Sequence, residues 1–145
     1  MRVLSNACEY AIRALVYIVA SKGDRDYLPV RHIADQLDIS SHFLAKIVQL
    51  LAAEGILNSY RGPNGGVNLA RSPENITLME VVSAVDGEGL FHDCFIGLPE
   101  CGEQNPCPLH KWWKQVRKEI SGTLSKATLA DLNSGAIDRF NLLNH

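Results

Sequence analysis

The chain has 145 residues, of which 46% are hydrophobic and 21% charged, so it can bury a core and is not disordered by composition. No apolar run reaches the roughly 18 residues of a membrane span, because Arg13 interrupts the most apolar stretch, 11–20. The first residues lack the apolar region of a signal peptide, and we therefore expect a cytoplasmic protein with no membrane partner, whose cysteines stay reduced.

The net charge of −2 is unevenly distributed along the chain. Residues 1–71 hold eight Lys and Arg against six acidic residues, whereas residues 72–145 hold six against ten. A basic N-terminal half can face phosphate while the acidic half stays away from it, so the overall charge does not exclude a nucleic-acid partner.

The first predicted helix spans Asn6–Lys22, where apolar residues recur at helical spacing. Asn6 and Glu9, three residues apart, resemble a capping box at its start. Cys8 lies on this helix and is most simply a small core residue. A turn at 23–26 ends the helix.

A helix-turn-helix motif is predicted next. Pro29 opens a helix over Val30–Leu37, and Ser40 or Ser41 caps a third helix that ends near Glu54. Two short helices joined by a tight turn are typical of this motif. The predicted apolar face of the third helix consists of Phe43, Leu44, Ile47, Leu50 and Leu51.

A β-hairpin follows, with strands predicted at Ile56–Arg61 and Val67–Ala70 and a glycine-rich tip between them. A hairpin directly after a helix-turn-helix motif is the wing of a winged helix. Thr77 and Glu80 then predict a capping box for a further helix, Leu78–Val85.

The solvent face of the third helix and the wing carry side chains suited to DNA. Short polar and basic groups near a helix N-terminus suit base edges, and serine hydroxyls suit phosphate. Glycine lets the wing backbone approach DNA, and arginine suits the narrow minor groove. The alternatives are a solvated helix face and an ordinary hairpin turn. The predicted DNA-binding residues are Ser40, Ser41, His42, Lys46, Gln49, Arg61, Gly62 and Asn64.

A loop predicted from Gly87 to Pro108 is rich in Gly and Pro and holds Cys94, Cys101 and Cys107, with His110 just beyond it. Thiolates select zinc, copper or an iron–sulfur cluster, and the wide spacing of these cysteines favours a cluster over zinc. We therefore predict a metal site at these three cysteines and His110. Unpaired thiols without a function are the alternative.

A long helix is predicted from Leu109 to about Ala127. Its apolar residues form a narrow stripe typical of a helix–helix seam, where Trp112 and Trp113 are expected to pack. A two-fold dimer is the simplest partner for such a helix, and DNA-binding dimers read two-fold operators in double-stranded DNA. The tail after Thr128 shows no clear motif.

The predicted fold is mainly α with a small β-hairpin wing, a winged helix-turn-helix followed by a long dimerisation helix. Residues 1–86 form the DNA-binding domain, residues 87–108 the cysteine-containing cofactor loop, and residues 109–145 the dimerisation helix and tail. We see no nucleophile–base pair, phosphate loop or paired carboxylates in a suitable context, so an enzyme is not expected.

Together these residues resemble the IscR/NsrR-type family of bacterial winged-helix regulators, also called the Rrf-two family. The likeness covers nearly the whole chain: residues 8–15 on the first helix, residues 39–44, the wing at residues 61–66, the three loop cysteines and the long helix. On the third helix, Ala45 and Lys46 depart from the IscR pattern of Glu and Gln, and the stretch is closer to the nitric-oxide sensor.

The resemblance implies a homodimer with crossed long helices and one iron–sulfur cluster (2Fe–2S or 4Fe–4S) in each subunit, with the three loop cysteines as ligands. Members differ in the fourth ligand. The IscR-like type maps it onto His110, whereas the NsrR-like type uses an acidic residue on the partner's first helix, for which Glu9 is the nearest candidate. Cys8 is a further candidate from the partner.

The expected function is therefore a repressor or dual regulator of transcription. Its DNA affinity would be set by a cluster that senses redox state, nitric oxide or the supply of iron and clusters. A DNA-binding regulator that uses zinc or direct thiol oxidation at the same cysteines is the alternative. A protein-interaction module built on the long helix is a further alternative.

Overall fold

The structure, a computed structural model, describes residues 3–21, 26–63, 65–99 and 101–133. Within these ranges the chain is mostly helical with one antiparallel hairpin, which confirms the predicted fold class. The elements are α1 (Asn6–Ala20), α2 (Val30–Leu37), α3 (Ser41–Ala53), β1 (Leu57–Tyr60), β2 (Gly66–Leu69), a 3-10 helix (Pro73–Asn75), α4 (Leu78–Asp86), α5 (Gly89–His92), α6 (His110–Lys126) and α7 (Leu129–Asn133).

The start of α1 differs from the prediction by one residue. Ser5, and not Asn6, is the N-cap, and its Oγ accepts a hydrogen bond from the backbone N–H of Cys8 at 3.0 Å. Ser5 has extended backbone angles while Asn6 is already helical, so the predicted Asn6 cap is wrong. The predicted helix end at Lys22 and most of the following turn lie outside the described residues.

The core lies where α1, α2, α3 and α4 pack together. On α3 the predicted inward residue Leu50 is instead 43% exposed, and Val48 is buried in its place. Helical geometry explains this correction, because Leu44, Ile47, Val48 and Leu51 fall on one face whereas Leu50 lies beside it. The inward residues predicted for α2, namely Ile33, Ala34 and Leu37, are buried.

The hairpin pairs Leu57 with Leu69 at one end and Tyr60 with Gly66 at the other. Leu28, before α2, exchanges two backbone hydrogen bonds with Val67, at 2.8 and 3.0 Å. A Cβ atom at Gly66 would collide with the Leu28 carbonyl, and the φ of +153° at this position also disfavours other residues. Gly66 therefore lets the wing lie directly against the chain that enters α2.

The capping box of α4 is confirmed. The backbone N–H of Thr77 donates to the Glu80 carboxylate at 2.8 Å, and the N–H of Glu80 donates to the Thr77 hydroxyl at 3.2 Å. These reciprocal bonds satisfy two backbone donors that a helix N-terminus otherwise leaves unpaired. The start of α4 is therefore fixed independently of the loop that follows its end.

After α6 the chain returns to the 3-10 helix and the start of α4. The N–H of Leu78 donates to the Ala127 carbonyl at 2.9 Å, and the N–H of Leu129 donates to the Ile76 carbonyl at 3.0 Å. Leu129 on α7 is fully buried, and α7 packs against α1 and the 3-10 helix. Sequence analysis missed this short helix, although Thr128 and Asp131 cap its start by reciprocal hydrogen bonds at 3.0 and 3.2 Å, a pattern that the sequence shows.

The predicted long helix is α6, and none of its described residues is fully buried. It packs against α4 and α5, while Trp112 and Val116 are 67% and 42% exposed. This exposed apolar surface agrees with the predicted dimer seam, which stays a prediction. In the described part of the chain, no helix has the length and apolarity to cross a membrane.

Candidate functional site

Three thiols converge in the segment between α4 and α6. The Sγ atoms of Cys94, Cys101 and Cys107 all lie within 4.8 Å of one another, and those of Cys94 and Cys107 are 3.6 Å apart. The short helix α5, which sequence analysis treated as part of the loop, precedes Cys94. The fold therefore brings together three predicted metal ligands that are separated by six and five residues.

His110 joins this cluster from the first residue of α6. Its Nδ1 lies 3.9 Å from the Sγ of Cys101, and its side chain is only 13% exposed. Its Nε2 is buried and has no hydrogen-bond partner within the described ranges, although the Glu103 carboxylate lies 3.7 Å away. Nδ1 of the ring therefore faces the thiols, and Nε2 faces the Glu103 carboxylate.

Hydrogen bonds and burial shift the pKa values of Cys94 and Cys101 in opposite directions. Backbone N–H groups, chiefly that of Leu98 and also that of Ile96, lower the pKa of Cys94 to about 7 against the opposing effect of burial. At Cys101 the N–H of Cys107 favours the thiolate, but burial and the two neighbouring thiols outweigh it and raise the pKa. Further thiolates beside a first one are costly without a cation, so the cluster favours a bound metal.

The donor set suits a soft metal or an iron–sulfur cluster. Three sulfur atoms and one imidazole nitrogen are ligands that both zinc and iron–sulfur centres accept. The described residues place no other group of three metal-binding side chains this close together.

The two alternative ligands on α1 lie apart from the thiol cluster of their own chain. Cys8 is fully buried, as predicted for a core residue. Burial, with the negative charges of Asp86 and Glu9, raises its pKa to about 12. Glu9 is half-buried in the first turn of α1, and its role toward a partner subunit stays a prediction.

The predicted DNA-reading face of α3 is open to solvent. Ser41, His42, Lys46 and Gln49 are all exposed, at helical spacing that puts them on one side. Ser40 is the N-cap, and its Oγ accepts a hydrogen bond from the N–H of Phe43 at 3.0 Å. This hydroxyl therefore fixes the start of the helix, in addition to its predicted place at a phosphate.

At the wing, Arg61 and Gly62 are exposed at the tip, while Asn64 lies outside the described residues. Gly62 has a φ of +108°, which explains a glycine there by backbone conformation. At Gly65 a Cβ atom would collide with the carbonyl of Tyr60. The structural reason for Gly65 thus lies inside the hairpin, and that for Gly66 lies in the segment that enters α2.

Sequence analysis missed the residue that joins α3, the 3-10 helix and α4. Arg71 donates to the carbonyl of Gly55 at 3.3 Å, to that of Asn75 at 2.9 Å and to the Glu80 carboxylate at 3.0 Å. These partners are four to sixteen residues away, so no short sequence pattern could have indicated them.

The helix α6 also holds the cysteine segment, through contacts that sequence analysis did not predict. Within the chain, Trp113 donates from Nε1 to the Asp93 carbonyl at 2.8 Å and packs edge-on against Phe95, while its place at a dimer seam stays a prediction. Arg117 donates to the carbonyls of His92 and Asp93.

Comparisons with known proteins find a family model, sequence relatives and solved structures that match most of the chain. The family model Rrf2, described as "Iron-dependent Transcriptional regulator", matches residues 4–135. The HTH-type transcriptional regulator NsrR of Bacillus licheniformis is 32% identical over 106 residues, which cover 73% of this chain and 70% of NsrR. IscR of Klebsiella pneumoniae is 30% identical over 132 residues, covering 91% and 79%. Among solved structures, CymR, the global cysteine regulator of B. subtilis, superposes with a TM-score of 0.73 at 25% identity, covering 92% of this chain and 98% of CymR.

Proposed function

The chain belongs to the Rrf2 family of transcriptional regulators, and from this premise we propose that its affinity for DNA depends on an iron–sulfur cluster held by Cys94, Cys101 and Cys107. The observation that carries the proposal is the convergence of these three thiols within 4.8 Å, beside the Nδ1 of His110. Members of the family are regulators and not enzymes, so the thiols need no catalytic role.

His110 is the proposed fourth ligand. Its Nδ1 faces the thiols, and its buried Nε2 can donate to Glu103, as metal-bound histidines usually do to a carboxylate. Glu9 of the partner subunit is the competing candidate. A bound cluster supplies a redox-active centre whose potential depends on solvent exposure and on hydrogen bonds to its sulfur ligands. The backbone hydrogen bonds that lower the pKa of Cys94 are of this kind.

We assign the exposed side of α3 to the major groove of a two-fold operator, read by a homodimer. Ser41, His42, Lys46 and Gln49 would meet base edges and phosphates there, with Ser40 at the helix start. Arg61 and Gly62, together with Asn64, would place the wing in the adjacent minor groove.

The cysteine segment can influence α3 through α4. This helix packs against α1, α3 and α6, and the cysteine segment follows its last residue directly. Two arrangements of this packing that differ by about 1–3 kcal/mol in their fit to DNA would change operator affinity about 5- to 150-fold.

The decisive experiment is anaerobic purification, reconstitution with iron and sulfide, and a visible spectrum with iron and sulfide analysis. We expect a coloured protein, and Cys101→Ala should lose the colour. Cys8→Ala should keep it, because Cys8 is fully buried and His110 is the proposed fourth ligand. Operator binding is then measured with and without the cluster. A colourless reconstituted protein, or equal affinity in both states at every promoter tested, would refute the proposal.

A regulator that acts by thiol oxidation is the second candidate, because the sulfur atoms of Cys94 and Cys107 are only 3.6 Å apart. The likeness to CymR, named as a cysteine regulator, also favours it. Oxidation by a peroxide would form one disulfide, with two thiols losing two electrons and two protons and the peroxide reduced to water or an alcohol. A colourless protein with this disulfide would support this candidate, whereas a colourless protein with a single zinc ion would support a zinc-dependent regulator.

A further inference from the structure

The backbone carbonyl that directly precedes Cys94 is held by two side chains of α6. The carbonyl of Asp93 accepts from the indole N–H of Trp113 at 2.8 Å and from the guanidinium of Arg117 at 3.3 Å. Arg117 also donates to the carbonyl of His92, the last residue of α5. The last carbonyls of a helix have no partner within it, so these bonds satisfy acceptors that α5 leaves open.

A third contact also attaches the chain around Cys94 to α6. Phe95, on the other side of Cys94, packs edge-on against Trp113 with ring centroids 5.0 Å apart. The residues before and after the cysteine are therefore both attached to one side chain of α6. The side chain of Cys94 itself contacts the other cysteines and nearby backbone N–H groups.

We propose that Trp113 and Arg117 are positioning residues that hold Cys94 in place to bind its metal centre; this inference rests on the proposed function. Trp113 acts through the Asp93 carbonyl and the Phe95 ring, and Arg117 acts through the carbonyls of His92 and Asp93. Because α6 also begins with His110, one helix orients ligands from both ends of the cysteine segment. The positions of the ligands therefore depend on α6 as well as on the loop that contains the cysteines.

The test uses Trp113→Phe, which keeps an aromatic ring against Phe95 and removes the N–H donor. The matched control is Trp112→Phe, which removes an indole from a neighbouring position that is 67% exposed. Arg117→Gln is the second variant. Thermal unfolding and light scattering on each variant establish that fold and assembly are unchanged.

Two readouts are compared in the full chain. After reconstitution with iron and sulfide, we expect the visible absorbance of Trp113→Phe to decay about 2- to 10-fold faster under a chelator than that of the wild type or Trp112→Phe. Amide hydrogen exchange at residues 92–98, measured with and without the cluster, should also be faster in Trp113→Phe and Arg117→Gln than in the control.

Equal decay and equal exchange in Trp113→Phe and Trp112→Phe would overturn the proposal. If the wild type takes up no cluster, the proposed function fails separately. The exchange comparison on the cluster-free protein then still decides whether α6 holds the segment around Cys94.

Discussion

Backbone atoms, more than side chains, set the limits on single residues at the wing. The collision that a Cβ atom at Gly66 would make is with the carbonyl of Leu28, which belongs to a two-bond pairing with Val67. Backbone cannot move aside as the end of a long side chain can. This position therefore belongs to the fold even though it lies in a predicted DNA-binding element.

We expect Gly66→Ala to lower the free energy of unfolding by about 2 kcal/mol or more, because the new methyl separates the wing from the segment before α2. Urea unfolding measures this loss. Gly102→Ala, where an added Cβ meets open space, should change stability by less than about 0.5 kcal/mol. An equally stable Gly66→Ala protein would contradict the packing described for the wing.

The four cysteines should differ in reactivity in the cluster-free protein. Cys8 is fully buried with a pKa of about 12, whereas the three loop thiols are only half-buried. Because the pKa of Cys94 is lowered and that of Cys101 is raised, we expect iodoacetamide at neutral pH to label Cys94 before Cys101 under native conditions, and Cys8 only after denaturation. Mass spectrometry of the peptides identifies the sites, and rapid native labelling of Cys8 would mean that α1 opens readily.

Helix starts carry much of the stability at the scale of elements. The carboxylate of Glu80 caps α4 and pairs with Arg71, whose side chain is 36% exposed. Although burial opposes it, the bonds from Thr77 and Arg71 lower the pKa of Glu80. A group whose pKa is lower when folded stabilises the protein above its unfolded pKa, and that stability is lost as the pH falls through the folded pKa.

Glu80→Gln should therefore be less stable than the wild type near neutral pH, by on the order of 1 kcal/mol given the partial exposure of the pair. The difference should shrink as the pH falls through the lowered pKa of Glu80, because the wild-type carboxyl then becomes protonated. Urea midpoints over a series of pH values from neutral to acidic measure the effect. A difference independent of pH would show that the charge of Glu80 is not what caps α4.

The proposed DNA interface on α3 and the wing can be tested by removing single positive charges. We expect Arg61→Ala to weaken operator binding about 5- to 150-fold, because it removes the exposed cation of the wing tip. Lys118→Ala, which removes an exposed cation from α6, is the matched control and should bind nearly as the wild type does. Fluorescence anisotropy at fixed salt gives both constants, and equal losses would indicate a general charge effect.

Elements with local signals could be predicted from the sequence, and those that depend on distant contacts could not. Pro29 and Thr77 mark the starts of α2 and α4 by their own chemistry. Thr128 marks the start of α7 in the same way, but the burial of Leu129 has no local signal, because it depends on α6 returning the chain to Ile76. In the site, the cysteines were visible by composition, whereas the bond from Trp113 to Asp93 spans twenty residues.

At the scale of the whole molecule, α7 joins the last helices to the N-terminal core. Leu129→Ala should lower the free energy of unfolding by about 2–5 kcal/mol, because it leaves a cavity beside α1 and the 3-10 helix. Circular dichroism should show one cooperative transition at lower temperature. Leu98→Ala, at a position 47% exposed, is the control. Loss of the C-terminal helices alone, with the N-terminal melt unchanged, would contradict this account.

The two backbone hydrogen bonds that join residues 76–78 to residues 127–129 affect how the length of the chain between them can change in evolution. They fix both ends of a long excursion of the chain, and an insertion in the exposed part of the cysteine segment adds a loop-closure entropy of only about 0.6 kcal/mol for each doubling of its length. The number of residues between successive thiols can therefore change at small cost to the core, as long as the three thiols still meet. Evolution can retune the chemistry of the loop without redesigning the protein that carries it.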